Sequence, residues 1–537
     1  MIRAHFSGLV ITLLVTLLSH VAAGAAAKKL KCLPSALSVP PPFGAKIQDI
    51  TASSVYSYNI SVAQNGGNPP FDTNFTGLDF CNVTVTYIHP GQKNIIHVQV
   101  WLPLKGWNGR FQGSGGGGWA AGLGALSLAP GVALGYATAE TDGGHAEADL
   151  NPASWALDSP GNVDLNNLQN FASTAMGDLA IIGKAVTKSF YGSPAKYSYW
   201  NGCSTGGREG FMLAQRYPDA FDGILAFSPV INWPQVPTAT YWSQHVMKSL
   251  NYYPLPCEMT AITAAAIKAC DSLDGVEDGI ISLPNLCGFD ARSLVGKPFS
   301  CDDGTNQPLT LKFSSQAATI ANAAWAGPHS QSGARLWYGI DREAQFMGVA
   351  NTSCSGKTAD TCVGAPFQLG AQWIKFFLAK DPEFSFAKMS DAKYAALFHS
   401  SVQQYQSIIG TNDPDLSQFR SKGGKMIAVH GFADEVVPIG GTVDYYQQVL
   451  SMDSTATDYF RFFQAPGVAH CASYVGPYPR DALNSLVKWV ERGQAPDTLT
   501  AVDPKGEIVR DLCPHPRVQR YIGGDPKKPG SFRCSKR

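Results

Sequence analysis

Tyr197-Ser198-Tyr199-Trp200-Asn201-Gly202-Cys203-Ser204-Thr205-Gly206-Gly207-Arg208 is the stretch on which the fold turns. Residues 197–200 read as a core strand. Gly202-Cys203-Ser204-Thr205-Gly206 is a G-x-S-x-G turn, and residues 207–217 open a helix directly behind it. That succession lifts a serine hydroxyl above the edge of a parallel sheet. In a chain with 54 glycines a bare G-x-S-x-G also arises as a structural Gly/Ser turn. The flanking strand and helix favour a nucleophile. A serine hydroxyl is a weak nucleophile until a base takes its proton. The late pair His470-Cys471 offers that base. If Cys203 and Cys471 form a disulfide, the backbones of Ser204 and His470 meet although 266 positions separate them.

Outward from this turn the chain alternates strands and helices. Residues 47–58, 83–88 and 95–102 (IIHVQVWL) alternate like antiparallel strands. Gly113, Gly115, Gly116, Gly117 and Gly118 form a glycine-rich stretch. Residues 132–138 and 223–227 (GILAF) read as core strands, and 178–190 as a helix. From 232 to 419 the rhythm breaks into a segment rich in Trp, Pro, Cys and Gly. It resumes with a strand at 425–430 (KMIAVH), a helix at 442–450, a strand at 459–463 and a helix at 483–493. The expectation is an α/β fold: an α/β-hydrolase core in two parts, 28–231 and 420–537, split by an inserted lid over 232–419. A long insertion costs little extra loop entropy. It falls on the carboxyl side of the sheet, where α/β folds bind ligands.

The whole chain has 537 residues, 45% hydrophobic and 15% charged, with 41 Lys+Arg against 41 Asp+Glu. This balance supplies no basic face for nucleic acid. A neutral, polysaccharide-associated or aromatic substrate fits better. Arg3, the short apolar run 9–18 and the small residues Ala22, Ala23 and 25–27 read as a secretory signal over 1–27. The run is too short for a membrane anchor, so the mature chain is expected to be soluble and extracellular. Twelve cysteines follow the signal, an even number suited to six disulfides in an oxidising compartment. Asn59, Asn74, Asn82 and Asn351 stand in N-x-S/T sequons and are expected glycosylation sites.

A catalytic acid should follow a later strand, and the base should follow the acid. Asp434 lies just after 425–430. Glu435 is its rival, and Asp458 is disfavoured because it precedes a strand. His470 then completes the order Ser, Asp, His. Of the 11 histidines, His470 is singled out by Cys471; His430 reads as a structural strand-end residue and His145 as a loop-ordering one. Acyl transfer also needs an oxyanion hole. The N–H of Thr205 is one expected donor, and the 113–118 run supplies the second, because glycine lets backbone N–H groups approach closely. Separately, Asp271, Asp274 and Asp278 are spaced by three and four residues around glycine turns, which suits hard-oxygen binding of Ca²⁺. The spacing is not that of an EF-hand. Carbonyls of Val276 and Ile280 would complete the shell, Cys270 and Cys287 bracket the loop, and the ion would be structural. A plain Asp/Gly turn is the alternative.

Taken together these segments resemble the fungal tannase and feruloyl esterase family, which includes a bacterial terephthalate-monoester hydrolase. The resemblance covers nearly all of the mature chain. It is carried by Trp107-Asn108-Gly109-Arg110-Phe111, Thr141-Asp142-Gly143-Gly144-His145, Gly202 to Arg208, Cys270 to Ile280, His430-Gly431 with Asp434, His470-Cys471, Trp489-Val490-Glu491-Arg492-Gly493 and Cys513-Pro514. It implies Ser204 as nucleophile, His470 as general base and then acid, and Asp434 as its orienter. Thr205 and Gly118 would donate to the oxyanion. Asp271, Asp274, Val276, Asp278 and Ile280 would hold Ca²⁺. The implied disulfides are Cys203–Cys471, Cys32–Cys81, Cys270–Cys287 and Cys513–Cys534. Relatives often carry a short cysteine loop after the position of Cys301, and this chain lacks its second member. The remaining four cysteines are therefore assigned as Cys257–Cys301 and Cys354–Cys362. The implied activity is hydrolysis of hydroxycinnamoyl esters such as feruloyl-polysaccharide, with the aromatic acid between core and lid. A tannase acting on galloyl esters is the alternative. A non-catalytic binding protein is disfavoured by the complete triad, and a peptidase has no signal beyond that triad.

Overall fold

The computed structural model describes residues 31–63, 73–145, 151–301, 309–472, 475–503 and 505–536. The expected signal, 1–27, lies outside them. Nine strands form the main sheet: β1 (Lys46–Val62), β2 (Thr73–Ile88), β3 (Ile96–Pro103), β4 (Arg110–Ser114), β5 (Ala137–Thr141), β6 (Tyr197–Cys203), β7 (Gly223–Phe227), β8 (Lys425–Gly431) and β9 (Phe460–Ala465). Their order is β1-β2-β3-β5-β4-β6-β7-β8-β9. The pairs from β1 to β5 are antiparallel, and every pair from β5 and β4 to β9 is parallel. This is an α/β-hydrolase sheet, with the strand exchange around β4 and β5 that brings β6 to its centre.

Strands β7 and the centre of β8 are apolar on both sides because both sides are covered. Trp200, Ile224, Met426 and Ala428 face one core cluster; their neighbours Tyr199, Leu225, Ile427 and Val429 face another. Helices α1 (Ala175–Tyr191) and α2 (Thr205–Arg216) pack on the first face. The last helix covers the second with Leu483, Leu486 and Trp489.

Between β7 and β8 no described residue joins the main sheet. This stretch carries α3 (Pro256–Cys270) and α4 (Ser315–Ala326), around a core of its own that includes Met247, Met259, Ile262 and Ile320, and α5 (Asp391–Ile409), whose Tyr394, Leu397 and Tyr405 join the main core. It is fastened to the turn after β4 by aromatic rings: Trp373 and Phe377 pack against Trp119 at 6.2 and 5.2 Å between centroids. After it come α6 (Ile439–Met452) and α7 (Ala482–Arg492). The six disulfides are Cys32–Cys81, Cys203–Cys471, Cys257–Cys301, Cys270–Cys287, Cys354–Cys362 and Cys513–Cys534.

Two local readings differ from the structure. Residues 132–138 are not one strand: a helix ends at Ala133, Gly135 turns the chain at φ 80°, and β5 starts at Ala137. Strand β4 has no strand signature in the sequence, because Arg110-Phe111-Gln112-Gly113-Ser114 shows no apolar alternation. Its glycine is dictated by packing, since a Cβ at Gly113 would lie 2.7 Å from Phe221 and 2.9 Å from Trp200. Among the described residues no helix is long and apolar enough to cross a membrane.

Candidate active site

Ser204 sits between β6 and α2 with φ 60° and ψ −119°, a backbone state that costs a non-glycine residue about 1–3 kcal/mol. The turn is tight enough to demand glycine beside it: a Cβ at Gly202 would meet the carbonyl carbon and oxygen of Gly206 at 2.5 Å. Ser204 N–H donates to Phe227 O at 3.0 Å, tying the turn to the end of β7.

The side chains predicted for catalysis converge. His470 Nε2 lies 2.9 Å from Ser204 Oγ, and His470 Nδ1 lies 2.9 and 3.1 Å from the two carboxylate oxygens of Asp434. An ionised carboxylate only accepts, so Nδ1 carries the proton and Nε2 turns its lone pair to the serine. Asp434 follows β8 and is 1% exposed. Burial alone would raise its carboxyl. The facing imidazoles outweigh burial and hold it far below the ordinary carboxylate range. Val436 and Val437 N–H donate to Oδ1 at 3.0 and 2.7 Å. For His470 burial opposes the charged form, and the Asp434 carboxylate prevails and raises its pKa.

Three further groups hold this line. His430 is fully buried, and its Nε2 faces both Asp434 Oδ2 at 3.1 Å and Val437 O at 3.0 Å. Two acceptors there require Nε2–H to donate, leaving Nδ1 to accept from Thr442 Oγ1 at 2.9 Å. The histidine read as structural thus touches the triad acid. Glu435, the rival acid, instead accepts from the backbone N–H of His470 at 3.1 Å. Cys471 is bonded to Cys203. His430 carried a weak sequence signal, four residues before Asp434; Glu435 carried none that separates the two roles. Asp458 is exposed in the turn before β9, and His145 stacks on Trp155 at 4.6 Å.

The glycine loop after β4 lies against the first turn of α2. Gly115 N–H donates to Asn201 O, Gly116 N–H to Glu209 Oε2 and Gly117 N–H to Ala120 O. Gly118 O accepts from Thr205 Oγ1 at 2.7 Å, so Gly118 sits beside Thr205. The backbones of Thr205, at the start of α2, and Gly118 therefore lie side by side next to Ser204. The N-terminus of α2 adds a partial positive charge there.

The loop from Asp271 to Ile280 carries none of the triad side chains, and its Ile280 end lies near Gly467 of the histidine loop. Asp274 Oδ2 is buried without a hydrogen-bond partner, and burial raises both Asp274 and Asp278 above the ordinary carboxylate value. Asp271 accepts from the N–H groups of Asp278, Gly279 and Ile280, and Asp278 pairs with the Arg510 guanidinium. Among the described residues no group of three His, Cys, Asp or Glu side chains is assembled for a metal. The donor chemistry fits a hard cation through the orphaned Asp274 oxygen and neighbouring loop oxygens. Of the sequon asparagines, Asn59 and Asn74 are exposed, and Asn82 and Asn351 are half-buried.

The profile of a family described as tannase and feruloyl esterase matches residues 81–535. A protein named probable feruloyl esterase from Arthroderma benhamiae is 43% identical over 472 residues, 86% of each chain. The solved tannin acyl hydrolase from Aspergillus niger superposes with TM-score 0.84 at 29% identity, covering 94% of this chain and 95% of its own. Feruloyl esterase B from Aspergillus oryzae gives TM-score 0.76 at 25% identity, over 92% and 98%. With its profile spanning most of the sequence and two such structures sharing its fold, the chain belongs to the tannase and feruloyl esterase family.

Proposed function

We propose that this chain is a secreted serine carboxylesterase that hydrolyses feruloyl and related hydroxycinnamoyl esters of plant cell-wall polysaccharide. The observation that carries the chemistry is the unbroken line from Asp434 through His470 to Ser204. His470 takes the Ser204 proton as Oγ attacks the ester carbonyl. The N–H groups of Thr205 and Gly118 receive the oxyanion. His470 then gives its proton to the leaving alcohol oxygen, and an acyl-Ser204 remains. A water deprotonated by His470 attacks that ester, the aromatic acid leaves, and Ser204 regains its proton. Asp434 fixes the imidazole tautomer and stabilises its charged form throughout.

The 43% identity to a feruloyl esterase supports the acyl choice. The closeness in shape to a tannin acyl hydrolase supports galloyl esters as a second reading. The aromatic acid would lie between the core and the 232–419 segment. The deciding assay compares methyl ferulate, methyl caffeate, methyl gallate and a terephthalate monoester, with Ser204→Ala as control. Cinnamate turnover with little gallate turnover is expected. The reverse makes the protein a tannase, and turnover that survives Ser204→Ala ends the serine-esterase reading.

The same proposal includes a structural Ca²⁺ held by Asp271, Asp274 and Asp278 carboxylates with Val276 and Ile280 carbonyls. It would supply charge neutralisation in that loop and take no part in ester cleavage. Secretion by the 1–27 signal and N-glycosylation at Asn59, Asn74, Asn82 and Asn351 complete the reading of an extracellular glycoprotein.

A further inference from the structure

One buried carboxylate grips two loops that lie far from it in sequence. Glu343, in the segment between β7 and β8, is 2% exposed. Its Oε1 accepts from Gly467 N–H at 2.8 Å and its Oε2 from Ile281 N–H at 2.9 Å. Gly467 stands three residues before His470, in the loop after β9. Ile281 follows the aspartate loop and lies between Cys270 and Cys287. Two N–H donors, one on each oxygen, call for two acceptor oxygens, and an amide would present an NH₂ to one of them. Burial pushes the Glu343 carboxyl up to about 8, with the two N–H groups acting in the opposite direction.

The same segment also meets the other triad loop. A Cβ on Gly348 would lie 2.0 Å from Glu435 O, so these two backbones are in direct contact. Glu435 is the residue whose side chain accepts from His470 N–H, and it adjoins Asp434. Gly467 is itself locked in place, accepting from Gly476 N–H at 2.8 Å. Only four residues of the inserted segment thus separate a grip on the His470 loop from a grip on the Asp434 loop.

We infer that Glu343 is a positioning residue: with Gly348 it clamps the His470 and Asp434 loops to the inserted segment, so the base stays aligned only while that segment is docked. The clamp rests on the reading of His470 as the base. Glu343→Gln keeps the shape and turns an NH₂ toward one of the two N–H groups. The expected result is a kcat lowered about tenfold or more with KM changed less than about twofold. Hydrogen exchange at Gly467 should rise about tenfold or more, and the Cys203–Cys471 bond should be reduced faster in native buffer. Glu343→Asp, which keeps two acceptor oxygens, should recover part of the turnover. Gly348→Ala, pressing on Glu435, should lower kcat on its own.

Wild-type kcat and wild-type exchange at Gly467 and Ile281 in Glu343→Gln overturn the clamp. If that variant does not fold, exchange in the unaltered protein decides: Gly467 and Ile281 amides as fast as unprotected ones overturn it, and strong protection of both, together with a kcat loss in Gly348→Ala, supports it. Failure of the esterase reading shows separately, as turnover that persists in Ser204→Ala, and leaves the exchange result to judge the clamp.

Discussion

Replacing Cys203 and Cys471 together by alanine separates two roles that a disulfide can play. The bond spans 268 positions, with 5.9 Å between its Cα atoms. A chain-entropy estimate for a loop of that length is about 5 kcal/mol of stability. At about 2.1 cal/mol/K of unfolding entropy per residue, that corresponds to a Tm lower by about 4 °C if the chain unfolds as one unit. The catalytic effect is independent of that figure. Ser204 and His470 are the immediate neighbours of the bonded cysteines, and their hydrogen bond is 2.9 Å long. Without the bond, His470 keeps Asp434 at 2.9 Å and Glu435 at 3.1 Å, so its loop loosens but does not leave. A displacement of about 1 Å costs about 100-fold in rate, or about 2.7 kcal/mol of barrier. The double variant should therefore lose about 10- to 100-fold in the acylation rate, measured by single-turnover release of a chromogenic alcohol well below the melting temperature. Substrate binding should change little. A variant that melts earlier yet acylates at the wild-type rate would show the disulfide to be a staple only, and the positioning argument would be wrong.

Activity should depend on a group titrating above the ordinary histidine value of 6.5, because Asp434 raises His470; the neutral imidazole is the base, so kcat/KM falls as pH drops through that midpoint, and a flat profile across the range would remove His470 from the role. The stability contribution has the opposite sign: the raised His470 pKa adds stability in full below its unfolded value, and that is lost as pH rises through the folded one, so urea midpoints should decline over the pH range where activity climbs. His430→Leu removes the N–H that Asp434 Oδ2 accepts; a hydrogen bond to a charged group contributes about 1.5–3 kcal/mol, and kcat should fall about tenfold with KM unchanged, whereas full turnover in the folded variant would show that Asp434 is held without it. Chelation should lower Tm by a few degrees, since a cation at about 100 times its Kd adds about 2.7 kcal/mol, and should spare turnover at low temperature. An unchanged melting curve, with no Ca²⁺ by elemental analysis, would refute the metal loop.

What the sequence disclosed follows from how far each interaction reaches. Strands such as Gly223–Phe227, and the MIAV centre of Lys425–Gly431, are apolar runs because helices cover both their faces, and that pattern is local. Strand Arg110–Ser114 is equally central, yet its glycine answers to Phe221 and Trp200, far along the chain, so no window around it looks like a strand. The site divides in the same way. Ser204, Asp434 and His470 lie in short motifs with their own turns, and the two adjoining cysteines mark a pair that distance would otherwise hide. The groups that hold them in place are carboxylates and imidazoles whose partners are backbone N–H groups or buried side chains: Glu435 on His470, His430 on Asp434, Glu343 on Gly467 across 124 positions. A backbone N–H has no signature in the sequence, since every residue but proline carries one. A glutamate in a list of residues is therefore a solvated surface charge by default, and only the fold reveals that Glu343 and Glu435 spend theirs on the loop of the catalytic histidine. The reacting groups were legible because chemistry restricts their type and order. Their supports were not, because any acceptor at the right point in space would serve.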